Sequence, residues 1–250
     1  MKRPRVFAHR GGRAWAPENT MAAFKCAVEA GCDGIELDVH RCASGELVVI
    51  HDVFLSRTTN GAGLVSDATL PELKRLSAGA WYDKEFSGEK LPTLEEVLQF
   101  VDGRAIVNVE VKMAPYEYAN IEDDLLMTLS AYAHPETLIV SSFDHNFLQR
   151  LSSLDCGIDL ALVAACVFLD IGSYAAKLGA KYWHPNFGVI CDSSVQAAQQ
   201  AGLGVNVWGI SEPHEWSLAI KWGVDGIITD DPQPLLDSLA GFATKQGADA

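Results

Sequence analysis

Eight short apolar segments with the length of β-strands alternate along this chain with eight longer segments of helical periodicity. Because consecutive parallel strands need a crossover connection, usually a helix, this alternation is typical of a parallel sheet. We predict strands at residues 5–9, 34–40, 105–112, 137–142, 159–163, 181–184, 204–208 and 226–229. We predict helices at residues 19–30, 94–101, 116–132, 145–154, 168–178, 192–201, 212–222 and 232–240. Eight such units favour a closed TIM (β/α)8 barrel, and a doubly wound open sheet is the alternative.

One interval between predicted strands has no helical pattern. After the second strand, the Ser44-Gly45 turn signal and the apolar run that follows it predict a β-hairpin. Pairing about a turn near residue 44 would set His51 opposite Leu37, beside two acidic residues of the second strand. Residues 53–91 carry no barrel pattern and are few for an independent core, so we expect a small insertion over one end of the barrel. The whole chain, residues 1–250, is then one domain.

Composition restricts the partners and the location. The 19 Lys and Arg and 33 Asp and Glu give a net charge of −14, which disfavours nucleic acid and stable association with an anionic membrane. The six cysteines form no Cys-x-x-Cys pair, and no apolar run approaches the roughly 18 residues of a membrane span. No apolar segment follows the basic N-terminus as in a signal peptide. These features predict a cytoplasmic protein with a small-molecule substrate, and they leave open whether it is a homodimer.

Carboxylates converge at the ends of two predicted strands. Glu36 and Asp38 are two residues apart in the second strand and face the same way, and Glu110 ends the third strand. Three oxygen ligands suit Mg²⁺ or Ca²⁺, whereas buried ion pairs are the alternative explanation. Three carboxylates around one divalent cation leave a charge of −1. Arg10 and Lys112 would change it to +1 and could clamp phosphoryl oxygens.

Two histidines, His9 and His51, lie near the same acids. One could accept a proton from a nucleophile while the other donates a proton to a leaving alkoxide. We expect His40 to point to the opposite face and to be unimportant. Trp208, at the end of the seventh strand, is expected to form a wall of a substrate pocket. The remaining histidines are assigned to turn, helix or loop positions without a functional role, namely His134, His145, His184 and His214.

The ordered motifs resemble those of the glycerophosphodiester phosphodiesterase family along nearly the entire chain. The matching segments are His9-Arg10-Gly11-Gly12, Pro17-Glu18-Asn19-Thr20, Glu36-Leu37-Asp38-Val39, His51-Asp52, Arg57-Thr58-Thr59, Leu91-Pro92-Thr93-Leu94, Asn108-Val109-Glu110-Val111-Lys112, Ser142-Phe143, Trp208 and Gly223-Val224-Asp225-Gly226-Ile227-Ile228-Thr229-Asp230. Each motif alone is weak evidence, but the ordered set is specific.

This resemblance implies a TIM barrel with a small cap inserted after the His51-Asp52 pair. It also implies metal-dependent hydrolysis of glycerophosphodiesters, such as those of choline or ethanolamine, to sn-glycerol 3-phosphate and an alcohol. The implied roles are metal binding by Glu36, Asp38 and Glu110, acid–base catalysis by His9 and His51, phosphate contact by Arg10 and Lys112, glycerol contact by Trp208, and support of the His9 loop by Glu18 and Asn19.

One segment departs from the family pattern, and two other functions compete. Gly209-Ile210-Ser211 stands where the family usually has Thr-Val-Asn, which removes polar side chains near the pocket rim.

A lysophospholipase D-type enzyme would share the site, and Trp81, Tyr82 and Phe86 could supply an apolar lip for its substrate. A non-catalytic module that binds glycerol phosphates could dispense with both catalytic histidines.

Overall fold

The computed structural model describes residues 2–113, 115, 118–210 and 212–240, and its strands form a closed barrel. The strands are β1 (Arg5–Ala8), β2 (Gly34–Arg41), β3 (Leu47–Val49), β4 (Ile106–Val111), β5 (Leu138–Ser142), β6 (Asp159–Ala164), β7 (Tyr182–Pro185), β8 (Gly204–Ile210) and β9 (Gly226–Thr229). Parallel pairing runs β1-β9-β8-β7-β6-β5-β4-β2, and β1 also pairs with β2, which closes an eight-stranded barrel. The TIM barrel prediction is confirmed, and the open sheet is excluded.

Helices cover the outside of the barrel. They are α1 (Met21–Glu29), α2 (Leu70–Leu73), α3 (Leu94–Val101), α4 (Ile121–Ser130), α5 (His145–Ser152), α6 (Ile171–Lys177), α7 (Asp192–Gln200), α8 (Pro213–Trp222) and α9 (Pro232–Ala240). All eight predicted helices are present, and α2 is an additional short one. The predicted starts of α1 and α6 were too early because Thr20 and Asp170 are N-caps whose side chains accept from backbone N–H groups. Residues 116 and 117 of the predicted third helix, 116–132, lie outside the described residues.

The alternation of side chains along β2 separates the apolar core from the polar barrel mouth. Leu37 and Val39 belong to the large apolar cluster between the barrel and the helices. Because side chains in a strand alternate between faces, Glu36, Asp38 and His40 point to the other side, toward the barrel axis. The prediction that His40 faces away from the acids was therefore wrong, since residues 38 and 40 have the same parity.

The predicted β-hairpin is present. β3 pairs antiparallel with β2 in the register Val39↔Val49, and the amide of Ile50 donates to the carbonyl of Asp38 at 3.0 Å. Continued by two residues, this register sets His51 opposite Leu37, as the turn position predicted. The hairpin thus returns the chain to the acidic end of β2.

Residues 53–91, which we call the cap segment, follow the hairpin. Apolar side chains of this segment share a small separate cluster with the hairpin, which includes Ile50, Leu55, Val65, Leu73 and Leu91. The hydroxyl of Tyr82 donates to the carbonyl of Ala14 at 3.0 Å, which attaches the cap segment to the loop after β1. No helix among the described residues is both long and apolar enough to cross a membrane.

Candidate active site

The predicted site residues lie at the carboxyl ends of the barrel strands. A cavity of about 250 Å³ at this end is lined by seven of them, namely His9, Arg10, Glu36, His51, Glu110, Lys112 and Trp208. The eighth, Asp38, is buried next to the cavity and accepts a 2.8 Å hydrogen bond from the side-chain amide of Asn19. The structure therefore brings all eight together.

Glu36, Asp38 and Glu110 form a buried acidic triad. One carboxylate oxygen from each lies within 4.8 Å of the others, and Glu36 Oε1 has no hydrogen-bond partner among the described residues. Burial, together with the charge of Asp38, raises the pKa of Glu36 to about 8, and burial also raises the pKa of Glu110. Like charges buried this closely are costly, and a divalent cation would relieve that cost. The triad therefore fits a cation that prefers oxygen ligands.

Asp38 differs from Glu36 and Glu110 because two cationic side chains compensate its charge. Lys112 Nζ lies 2.9 Å from Asp38 Oδ1, and Arg10 Nε lies 3.3 Å from Asp38 Oδ2. Although burial alone would raise the pKa of Asp38, Lys112 and Arg10 hold it well below its usual range. Lys112 also bonds to Glu110. Arg10 and Lys112, the two side chains that would contact a phosphate, are thus held in place by acids of the triad.

Each site histidine is paired through Nδ1 with an aspartate. His9 Nδ1 lies 2.5 Å from Asp230 Oδ1, and His51 Nδ1 lies 2.6 Å from Asp52 Oδ1. Because an ionised carboxylate only accepts hydrogen bonds, both rings donate through Nδ1 and keep Nε2 available. His9 Nε2 is 3.8 Å from Glu36 Oε2. The two histidines therefore have equivalent orienting partners.

The environments of the two histidines have opposite effects on their pKa values. Burial tends to lower the pKa of His9, but the hydrogen bond to Asp230 and the charge of Glu36 raise it overall. Burial lowers the pKa of His51, and the charges of Lys112 and Arg10 lower it further.

The backbone of Arg10 adopts a conformation that is uncommon for a side-chain-bearing residue. Its φ is +51°, and its amide donates to Glu36 Oε2 at 3.0 Å. The Arg10 guanidinium donates to Glu18 Oε1 at 2.7 Å, and the amide of Asn19 donates to the carbonyl of Arg10 at 2.9 Å. Such strained residues persist where surrounding contacts enforce them, and they concentrate at functional sites.

Trp208 and Phe143 form an aromatic wall of the cavity. Trp208 packs edge-to-face with Phe143 at 5.7 Å between ring centroids, and its Nε1 donates to the carbonyl of His184 at 3.0 Å. The backbone conformation at Gly209 explains why glycine stands at the first position of the departure from the family pattern. Gly209 has a φ of +73°, and a Cβ there would lie 2.5 Å from Asn186 Nδ2, so glycine suits this bend. Ser211 lies outside the described residues.

Several site residues had no predicted role or the wrong one. Asp52 and Asp230 orient the histidines, and Asn108 lines the cavity from β4, two residues before Glu110. His184 was assigned to a helix or loop position although the predicted strand 181–184 includes it. It lies on β7, where it is buried and its Nε2 is 3.0 Å from Asn206 Nδ2. Strand parity could have identified Asn108 and His184 as inward-facing residues.

His40 contacts the backbone of His51 directly. Its Nε2 lies 3.0 Å from the carbonyl oxygen of His51, and its Nδ1 lies 2.9 Å from the hydroxyl of Tyr118. Since a carbonyl can only accept, Nε2 carries the proton and Nδ1 accepts from Tyr118. Burial lowers the pKa of His40, which keeps it neutral for this arrangement.

A larger groove of about 760 Å³ adjoins the cavity. The two share His51, Glu110, Lys112 and Phe143, and the groove is otherwise lined by residues that include Phe54, Met113, Asp144 and His145. Phe54 and Phe143 are about half exposed. The site thus has a small compartment in the barrel mouth and an open one beside His51.

Two oriented histidines, two cationic side chains and an acidic triad at the mouth of a TIM barrel define the class of TIM-barrel phosphodiesterases. The model of the Glycerophosphoryl diester phosphodiesterase family matches residues 9–234. The chain belongs to this family.

Individual relatives agree with this assignment. The chain is 40% identical to a glycerophosphodiester phosphodiesterase of Caldanaerobacter subterraneus subsp. tengcongensis over 93% of this chain and 96% of the relative. It is 38% identical to one of Bacillus altitudinis over 91% of this chain and 95% of the relative. Its fold matches an Oleispira antarctica phosphodiesterase in complex with the product sn-glycerol-3-phosphate, with a TM-score of 0.87, 28% identity, and coverage of 95% of this chain and 97% of that chain.

Proposed function

We propose that this protein hydrolyses glycerophosphodiesters, such as glycerophosphocholine and glycerophosphoethanolamine, to sn-glycerol 3-phosphate and an alcohol. One observation carries the proposal. Two histidines, each held through Nδ1 by an aspartate, and the cationic side chains of Arg10 and Lys112 line one cavity beside the acidic triad. The solved relative that holds sn-glycerol-3-phosphate as its product supports the choice of substrate.

The chain's own residues supply binding and proton transfer. Arg10 and Lys112 contact the phosphoryl oxygens, and Trp208 packs against the glycerol. Of His9 and His51, one accepts through Nε2 the proton of the attacking hydroxyl, which belongs to water or to the neighbouring glycerol. If the glycerol hydroxyl attacks, a cyclic phosphate forms, and water must then open it to give sn-glycerol 3-phosphate. The other donates the proton that the leaving alkoxide needs when its bond to phosphorus breaks. Asp230 and Asp52 keep both rings in the required tautomer.

Glu36, Asp38 and Glu110 would hold the divalent cation, and their hard oxygen ligands favour Mg²⁺ or Ca²⁺. When bound, such a cation would neutralise charge that develops on the phosphoryl oxygens. Two observations support this assignment: Glu36 Oε1 has no hydrogen-bond partner in the described part of the chain, and burial raises the pKa of Glu36 and of Glu110.

A purified-protein assay tests the proposal. The release of sn-glycerol 3-phosphate from glycerophosphocholine and glycerophosphoethanolamine is measured after treatment with a chelator, then after addition of Mg²⁺ or Ca²⁺. We expect release that stops with chelator and returns with one of these ions. If no divalent ion supports release while sn-glycerol 3-phosphate still binds, the protein is a binding module instead.

The lysophospholipid alternative needs an apolar surface that continues from the site. Tyr82 packs edge-to-face against both Trp81 and Phe86, and none of the three lines the cavity or the adjoining groove. We therefore expect glycerophosphocholine to be hydrolysed faster than lysophosphatidylcholine. A strong preference for the lipid would overturn the proposed substrate.

A further inference from the structure

Arg57, which belongs to the cap segment, binds two carboxylates at once. Its Nε and Nη2 donate to Asp52 at 2.6 and 3.0 Å, and its Nη1 and Nη2 donate to Glu18 at 3.0 and 2.8 Å. Asp52 is the partner of His51 Nδ1. The planar guanidinium therefore connects the orienting aspartate of one site histidine to a carboxylate of the loop after β1.

Arg13 makes the corresponding connection on the other side. Its Nε lies 3.2 Å from Glu18 Oε2, and its Nη1 donates to Asp230 Oδ2 at 3.1 Å. Asp230 is the partner of His9 Nδ1. A continuous chain of alternating charges thus runs from His51 through Asp52, Arg57, Glu18, Arg13 and Asp230 to His9. We call Arg57, Glu18 and Arg13 the central bridge.

Glu18 is the fixed point of the central bridge. Its side chain is 1% exposed and accepts from Arg10 as well as from Arg57. Burial alone would raise its pKa, but Arg57 and Arg10 hold the pKa of Glu18 below its ordinary value. A buried carboxylate that binds three arginines sets the position of all three groups.

Neither Arg13 nor Arg57 is among the residues that line the cavity or the adjoining groove, so neither is placed to touch the substrate. Their side chains are 38% and 40% exposed. When either arginine is removed, Glu18 keeps Arg10 and the other arginine as partners, so no buried charge is left unpaired and the main effect should be geometric.

We infer that Arg57 and Arg13 are positioning residues that hold the two histidines in a fixed relative arrangement through the shared carboxylate of Glu18. This inference rests on the proposed function, because it assigns both histidines to proton transfer. Arg57 comes from the cap segment, so the placement of that segment is coupled to the geometry of His51.

The kinetic test compares Arg57→Ala, Arg57→Lys and Arg13→Ala with wild-type protein. Lys74→Met is the matched control, because Lys74 also joins the cap segment to the barrel, through Glu96, and lines neither compartment of the site. We expect both alanine variants to lower kcat by roughly 10- to 100-fold, the range for residues that orient functional ligands. KM should change far less. Arg57→Lys should remain impaired because an ammonium, with three donors, cannot reproduce the four hydrogen bonds that the planar guanidinium makes to Asp52 and Glu18.

Thermal unfolding separates positioning from a loss of structure. The alanine variants should shift Tm by no more than about 4 °C, similar to Lys74→Met. The inference is overturned if kcat of the two alanine variants matches that of Lys74→Met, or if only KM changes. It is also overturned if Tm falls far more in these variants than in the control.

A second readout needs no substrate and therefore stands apart from the proposed function. Nitrogen NMR of the histidine rings, assigned with His9→Gln and His51→Gln, reports which ring nitrogen carries the proton when both rings are neutral. Arg57→Ala should convert His51 from the Nδ1–H form to a mixture of tautomers, while His9 stays unchanged. Arg13→Ala should do the reverse. Unchanged ring shifts in both variants would refute the central bridge even if the wild-type enzyme is active. The expected shifts would uphold it even if glycerophosphodiesters prove not to be the substrate.

Discussion

His51 Nδ1 donates to Asp52 Oδ1 across 2.6 Å, and this contact determines which nitrogen of the ring faces the site. His9 is held in the same manner by Asp230 at 2.5 Å. Both rings present Nε2, as proton transfer to and from a substrate requires.

His51→Ala and His9→Ala should each lower turnover of glycerophosphocholine by roughly 100- to 10,000-fold, because one proton transfer is lost in each. His214→Ala, at an exposed position on α8, is the control and should retain full activity. A p-nitrophenyl diester, whose leaving group needs no proton, should restore activity selectively to the variant that lacks the general acid. If both variants kept near-normal turnover of glycerophosphocholine, the acid–base assignment would be wrong.

Glu110→Gln should weaken binding of a divalent cation by roughly tenfold or more, since even residues outside the ligand set change affinity by that amount. The measurement is a calorimetric titration of chelator-treated protein with Mg²⁺ and with Ca²⁺. Glu46→Gln, on the exposed turn of the hairpin, should titrate like the wild type. Equal affinity in Glu110→Gln would remove this residue from the triad.

The sequence was sufficient for the parts of the site that depend on local periodicity. Strand parity placed Glu36 and Asp38 on one face, and the turn position set His51 near them through the register of the hairpin. The same parity, applied to β2 consistently, would have placed His40 on the acids' face.

Contacts between distant segments could not be predicted in this way. Arg57 and Glu18 are 39 residues apart, and Asp230 and His9 are 221 apart. Periodicity within a segment says nothing about which loop of a closed barrel meets which, because that depends on how the whole sheet closes. The central bridge therefore became visible only in the folded chain.

His40→Ala should lower the free energy of unfolding by about 1–3 kcal/mol, because it removes the buried His40 ring and leaves the partly buried carbonyl of His51 without its donor. Urea unfolding followed by tryptophan fluorescence measures this. His134→Ala is the control, since His134 lies in a turn and its side chain is 37% exposed. Equal stability of the two variants would contradict the structural role of His40.

The stability of the protein should fall in mild acid in a way that depends on His184. Burial lowers the pKa of His184 from 6.5 to about 3, so the folded chain keeps this ring neutral while the unfolded chain protonates it below 6.5. The unfolded state then binds more protons, which favours unfolding, so this part of the stability is complete above 6.5 and declines as the pH falls toward 3.

One extra proton bound by the unfolded state corresponds to a slope of about 1.4 kcal/mol per pH unit, reached only well below the unfolded pKa. Urea unfolding of wild-type protein and His184→Gln, compared between about pH 7 and about pH 4, should therefore show a smaller loss of stability in the variant. The difference between the two curves isolates His184 from all other titrating groups. His214→Gln should follow the wild-type curve because His214 is exposed. Parallel curves for the wild type and His184→Gln would mean that the folded protein accommodates a protonated His184.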